Sequence, residues 1–154
     1  MSEPDFAILV VGASQAVAGR LGAAVEGAGI DDMRSSFGFV IRALAERDRT
    51  LTELAELLAV TKQAAIKVVD EMEARDFVER RPDPADRRAK VLSLTEKGRR
   101  VRRAALSASR RMEAELRREL GDERVEAFRT VMLRFLERHD VLGDAVAGRA
   151  RAPW

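Results

Sequence analysis

Phe6, Leu9, Val10, Ala13, Val17, Leu21, Ala24 and Val25 recur at the three-to-four-residue interval of one helix face. The pattern predicts a first helix from about Pro4, whose fixed φ suits an opening turn, to Gly27 or Gly29, which stop it. Asp31 or Asp32 is expected to cap a second helix, with Met33, Phe37, Val40, Ile41 and Leu44 as its buried stripe. Thr50-Leu51-Thr52-Glu53 has the form of a capping box, in which the threonine hydroxyl and the glutamate carboxylate satisfy each other's backbone N–H. Leu54, Ala55, Leu57 and Leu58 then line a short third helix. After Ala59-Val60, Thr61 caps a fourth helix with Ala65, Val68, Val69 and Met72 inside. Two short helices joined this tightly read as a helix-turn-helix.

Phe77-Val78-Glu79-Arg80 and Lys90-Val91-Leu92-Ser93-Leu94 read as two short strands. The prolines and aspartates between them, Pro82, Asp83, Pro84 and Asp86, are turn formers, so the pair is a hairpin with a long basic tip. Thr95 caps a long fifth helix whose apolar line is Val101, Ala105, Ala108, Met112, Leu116 and Leu120. Gly121-Asp122 breaks the chain before a sixth helix carrying Val125, Phe128, Met132, Phe135 and Leu136. The Gly-, Ala- and Arg-rich tail at 141–154 is expected to fray.

The fold expected is mainly α with a small β-hairpin, in a single domain over 1–154. Residues 31–103 form a winged helix-turn-helix lobe that includes the start of the fifth helix. The stretches 1–30 and 104–140 are flanking dimerisation helices, too many for the lobe to cover. Phe6, Leu9, Val10, Ala13, Leu116, Leu120, Val125, Phe128, Met132 and Phe135 are therefore expected to bury against the same helices of a second copy.

Composition narrows the function. The chain has no cysteine, no tyrosine and one histidine, His139. Thiol chemistry is excluded, and no metal centre or cofactor is expected. No Ser/His/Asp arrangement or Gly-rich phosphate loop points to an enzyme. No leader and no apolar run of membrane-spanning length stands out, so a cytoplasmic protein without a membrane partner is expected. Net charge is +2, but its distribution is uneven. Residues 1–60 carry five basic and nine acidic side chains, and residues 61–103 thirteen and eight. Positive charge gathers on the lobe, as for a surface that meets a polyanion.

The second helix of a helix-turn-helix lies in the DNA major groove. Its outward face here holds Lys62, Gln63, Ala64, Ile66 and Lys67 behind the Thr61 cap. Lysines reach phosphates or guanine, glutamine pairs with an adenine edge, and an apolar side chain can meet a thymine methyl. At the hairpin tip, Arg87 and Arg88 can enter a minor groove, with Lys90 on the stem and Asp86 expected to orient Arg88 by a carboxylate–guanidinium contact. Lys97, Arg99, Arg100, Arg102 and Arg103 oppose the dipole at the start of the fifth helix, which a nearby phosphate would offset.

Taken together, LTELAELLAVTKQAAIKVVDEMEARDFVER, the Asp86-Arg87-Arg88 tip and Leu94-Thr95-Glu96-Lys97-Gly98 resemble the MarR family of bacterial regulators, with its D-x-R wing and L-T-x-x-G helix opening. The resemblance implies a homodimer on double-stranded DNA, binding a pseudo-palindromic operator, usually as a repressor. It assigns base reading to Gln63, Ala64, Ile66 and Lys67 and the minor groove to Arg88. The sequence departs from the family where hydroxyls and an arginine are frequent on the recognition face, and by Glu71 where a basic residue is common. The resemblance also implies a small phenolic or aromatic effector, with Met33, Arg34, Phe37, Ile41 and Met112 as candidate pocket walls. The alternatives are a winged-helix protein–protein module and a non-specific nucleoid-type DNA binder.

Overall fold

The computed structural model describes residues 3–34, 36–84, 86 and 89–139. The element order is α1 (Phe6–Glu26), α2 (Phe37–Glu46), α3 (Leu51–Leu57), α4 (Lys62–Ala74), β1 (Val78–Pro82), β2 (Lys90–Leu94), α5 (Glu96–Leu120) and α6 (Asp122–Arg138). It is the mainly helical, hairpin-bearing architecture expected. The tail from Asp140 onward lies outside the described residues.

Side-chain caps set most helix starts. Asp5 accepts from the Ile8 N–H, Thr61 from Ala64 and Thr95 from Gly98, each at 3.0–3.1 Å. The Thr50–Glu53 capping box closes in both directions. The start of α2 departs from the reading. It begins at Phe37, behind Ser36, with no side-chain cap bond. Neither expected cap, Asp31 or Asp32, starts the helix; Asp32 is instead drawn 2.7 Å from Lys97 on α5, and Met33 lies ahead of the helix, packed on the core from there.

One core runs through the lobe. Phe37, Val40, Ile41 and Leu44 of α2 meet Leu54 of α3, Val69 and Met72 of α4, Phe77, Val78, Leu92 and Leu94 of the hairpin, and Val101 of α5. Phe37 and Phe77 stack edge to face, 5.7 Å apart. The hairpin is antiparallel, pairing Val78 with Leu94 and Pro82 with Lys90. Unforeseen from the sequence, Arg49 adds an isolated bridge: it exchanges backbone hydrogen bonds with Leu92 and so ties the α2–α3 connection to the outer side of β2.

Outside the lobe, α1 lies along α5, fastened by Arg20 to Glu115 at 2.7 Å. The rings of Phe6 and Phe135 meet edge-on at 5.7 Å, joining the start of α1 to the end of α6. The rest of these faces is open: Phe128 is 61% exposed, Ile8 60% and Phe6 57%. The reading that no stretch reaches membrane-spanning length needs correction. By length and composition α1 is long and apolar enough to cross a membrane. Its glycines, alanines and short polar residues break up the large side chains, which hides how few charges the helix carries.

Candidate nucleic-acid interface

The helix-turn-helix is assembled from its turn outward. Leu58 closes α3, Ala59 takes a left-handed conformation (φ +50°), and Val60 returns a hydrogen bond to the Ala55 carbonyl. Thr61 then starts α4 in the direction that buries Ala65, Val69 and Met72. The opposite face carries Lys62, Gln63, Ala64, Ile66 and Lys67, all exposed. Among the described residues, the side chains of Lys62, Gln63 and Lys67 make no hydrogen bond or ion pair.

Most basic side chains elsewhere in the lobe are engaged. Arg80 on β1 holds both Asp70 and Glu73 of α4, and those carboxylates, Asp70 foremost, raise its pKa. This clamp fixes the wing's first strand to the recognition helix and offsets part of the charge of two acids on it. The sequence signalled it only as alternating charge, since its partners lie seven and ten residues away. Glu71, which breaks the basic pattern of the family, sits between Arg34 (2.5 Å) and Arg75 (2.9 Å) and is likewise compensated.

The basic start of α5 serves packing. Lys97 donates to Asp32 and to the Arg75 carbonyl, and lies 4.3 Å over the Phe77 ring. The Lys97 ammonium holds the Asp32 carboxyl below its usual pKa. Arg99 donates to the Leu94 carbonyl, and Arg100 to the Ala28 carbonyl. Arg99 and Arg103 both pair with Glu96, so a carboxylate in the first turn offsets the dipole conflict that had suggested a phosphate.

At the wing, Asp83 and Ala89 are bridged by Asp83 N–H to the Ala89 carbonyl, and Ala89 N–H returns to the Asp86 carbonyl. Lys90 is exposed at the base of β2. Arg87 and Arg88, and with them the expected Asp86–Arg88 contact, lie outside the described residues.

The candidate pocket residues do not form one open wall. Phe37 and Ile41 are enclosed in the core, Met33 is half-buried against it, and Arg34 is paired with Glu71. Met112 is half-buried on α5. A groove of about 280 Å³ opens elsewhere, between the end of α2 and the start of α5, lined by Leu44, Ala45, Asp48, Leu94, Arg99, Arg102 and Arg103. A second recess, of about 240 Å³, is formed by Leu116, Leu120, Arg124, Val125 and Phe128, four of which are residues expected at a dimer interface. Of the other residues expected there, Leu9, Ala13 and Phe135 are exposed and Val10 and Met132 half-buried. Among the described residues no group of three His, Cys, Asp or Glu side chains is placed to hold a metal ion.

Comparison with known proteins agrees with this architecture. The family model described as "MarR family" matches residues 39–89, from within α2 to the wing. No curated protein matches the chain significantly. Among solved structures, RV1404 from Mycobacterium tuberculosis superposes with a TM-score of 0.69 at 20% identity, covering 89% of this chain and 96% of its own. CouR from Rhodococcus jostii RHA1, bound to p-coumaroyl-CoA, gives 0.59 at 25% identity, covering 84% and 90%. A structure of the transcriptional repressor CouR bound to a 23-mer DNA duplex gives 0.62 at 24% identity, covering 87% and 99%. Residues 39–89 of this chain thus resemble the MarR family, and α1 to α6 together have the fold seen in these solved structures.

Proposed function

We propose that this chain is a sequence-specific, DNA-binding transcriptional regulator that acts as a homodimer on a pseudo-palindromic operator, as a repressor. The observation that carries the reading is the state of the α4 face. Lys62, Gln63 and Lys67 have no partner among the described residues on the second helix of a helix-turn-helix, while Asp70, Glu71 and Glu73 behind them are each paired with an arginine. That face offers donors and cations to a polyanion, and its acids are held by arginines of the fold. Thr61, Ala64, Ile66, Lys90 and the wing residues Asp86, Arg87 and Arg88 complete the proposed contact set.

A second copy supplies what α1, α5 and α6 lack. Exposed Phe6, Leu9, Leu116, Leu120 and Phe128 form an apolar surface of a kind that monomers rarely leave open. Pairing these helices about a twofold axis presents two α4 helices to successive major grooves, about 34–36 Å apart, and gives α1 a protein partner for its apolar face. Such a regulator works in the cytoplasm, where its DNA is. Release by a small aromatic acid belongs to the same reading. The groove between α2 and α5 supports it, with an apolar floor of Leu44, Ala45 and Leu94 and a guanidinium rim.

The test is binding of the purified protein to DNA from upstream of its own gene, with random DNA as competitor, across a salt series. The reading expects competitor-resistant binding that weakens by roughly a thousandfold between 50 and 200 mM salt. Equal affinity for random DNA would favour a nucleoid-type role. No binding at low salt would leave a protein–protein module.

A further inference from the structure

We propose that Ile66 reads the C5-methyl group of a thymine in each operator half-site, beside an adenine held by Gln63, so that the centre of α4 selects an A·T step. This inference rests on the DNA-binding reading above. Its starting point is a side chain that the fold does not use. Ala65, Val69 and Met72 supply the helix's buried stripe at 0–2% exposure, whereas Ile66 is 37% exposed on the other face. Val60, in the turn leading into the helix, is also open, at 43%. A β-branched apolar side chain gains nothing by facing water, and it lies among Lys62, Gln63 and Lys67, whose side chains have no partners among the described residues.

The chemistry of the groove selects the match. Of the four bases, thymine alone offers an apolar group on the major-groove edge, and adenine alone offers the acceptor–donor pair that a glutamine amide can engage at two points. Gln63 and Ile66 are three residues apart, hence on one helix face and about 4.5 Å apart along its axis. That spacing is comparable with the rise of about 3.4 Å between successive bases, so the two side chains address neighbouring positions. The acid that follows on this face, Asp70, is held by Arg80 at 2.5 Å, which reduces its repulsion of the phosphates that flank such a step.

The experiment uses the full chain and a library of random DNA duplexes. Duplexes retained by the protein are selected and sequenced, and each thymine of the enriched half-site is replaced in turn by uracil, which lacks the methyl group. For the wild type, one such replacement in a single half-site is expected to weaken binding about fourfold, the worth of one buried methyl, and about fifteenfold when made in both half-sites. Ile66→Ala is expected to fold, judged by circular dichroism, to bind the thymine duplex more weakly, and to bind thymine and uracil duplexes alike. Ile66→Val is expected to keep the discrimination. If an enriched sequence is bound equally with thymine or uracil at every position, or if Ile66→Ala discriminates as well as wild type, Ile66 does not read a methyl group, and the DNA-binding reading stands. If no duplex is retained at low salt, both fall.

Discussion

Gly98 shows how closely a single residue can be constrained. Thr95 caps α5 through its hydroxyl and donates its own N–H to the Phe77 carbonyl, which brings the first turn of α5 against the chain leaving α4. A methyl group on Gly98 would penetrate the Phe77 carbonyl oxygen and lie 3.2 Å from Leu94 Cδ2. The L-T-x-x-G signature is thus a packing requirement. Gly98→Ala is expected to lower stability by about 2–4 kcal/mol, measurable by thermal or denaturant unfolding. Glu53 is constrained by charge. The Thr50 backbone N–H, then Arg47 and the Thr50 hydroxyl, hold its carboxyl at about 2, against an ordinary value of 4.5. Because the folded value lies below the unfolded one, this contribution is full above pH 4.5 and is lost as pH falls toward 2. Glu53→Gln retains the capping geometry without the titration. Its stability, measured against wild type by unfolding at stepped pH, is expected to close on the wild-type value across that window.

At the scale of elements, the clamp from Arg80 to Asp70 and Glu73 ties the recognition helix to the first strand of the wing. Arg80→Met removes the tie and leaves two acids uncompensated on the helix. DNA affinity is expected to fall about tenfold with the oligomeric state unchanged, checked by fluorescence anisotropy alongside sedimentation. Arg88→Ala is expected to weaken operator binding without affecting assembly, as the strands that carry the wing pack against α2, α4 and α5. Unchanged affinity in the same titration would remove the minor-groove role. The elements were largely legible in the sequence because their signals are local: caps at Thr50, Thr61 and Thr95, and stripes at helical spacing. The start of α2 was not, since its cap candidate Asp32 is claimed by Lys97, sixty-five residues later. Nor was the Arg49–Leu92 bridge, which needs β2 already in place.

At the scale of the whole molecule, the lobe closes its own core, whereas α1, the second half of α5 and α6 do not close theirs. Along α5 the buried Val101 and Ala108 give way to exposed Leu116 and Leu120, where the helix passes beyond the lobe. The corner that follows is fixed by Gly121 at φ +86° and by Arg117, which gathers Glu113, Asp122 and Glu126 across it. Deleting residues 122–154 is expected to abolish dimerisation, and Phe128→Asp to weaken it in the intact chain, both read by sedimentation. A truncated chain that still sediments as a folded dimer would count against α6 as an interface element.

The sequence by itself determined the helices, the hairpin, the helix-turn-helix and which side chains face outward on α4. These depend on periodicity and capping, which act within a few residues. Tertiary structure alone decided which charges are free. Glu71 read as a repulsive acid and Lys97, Arg99, Arg100 and Arg103 as possible phosphate ligands, yet each finds a partner within the fold. The reason is physical: an ion pair depends on a distance of a few ångströms, which chain folding sets and sequence separation does not.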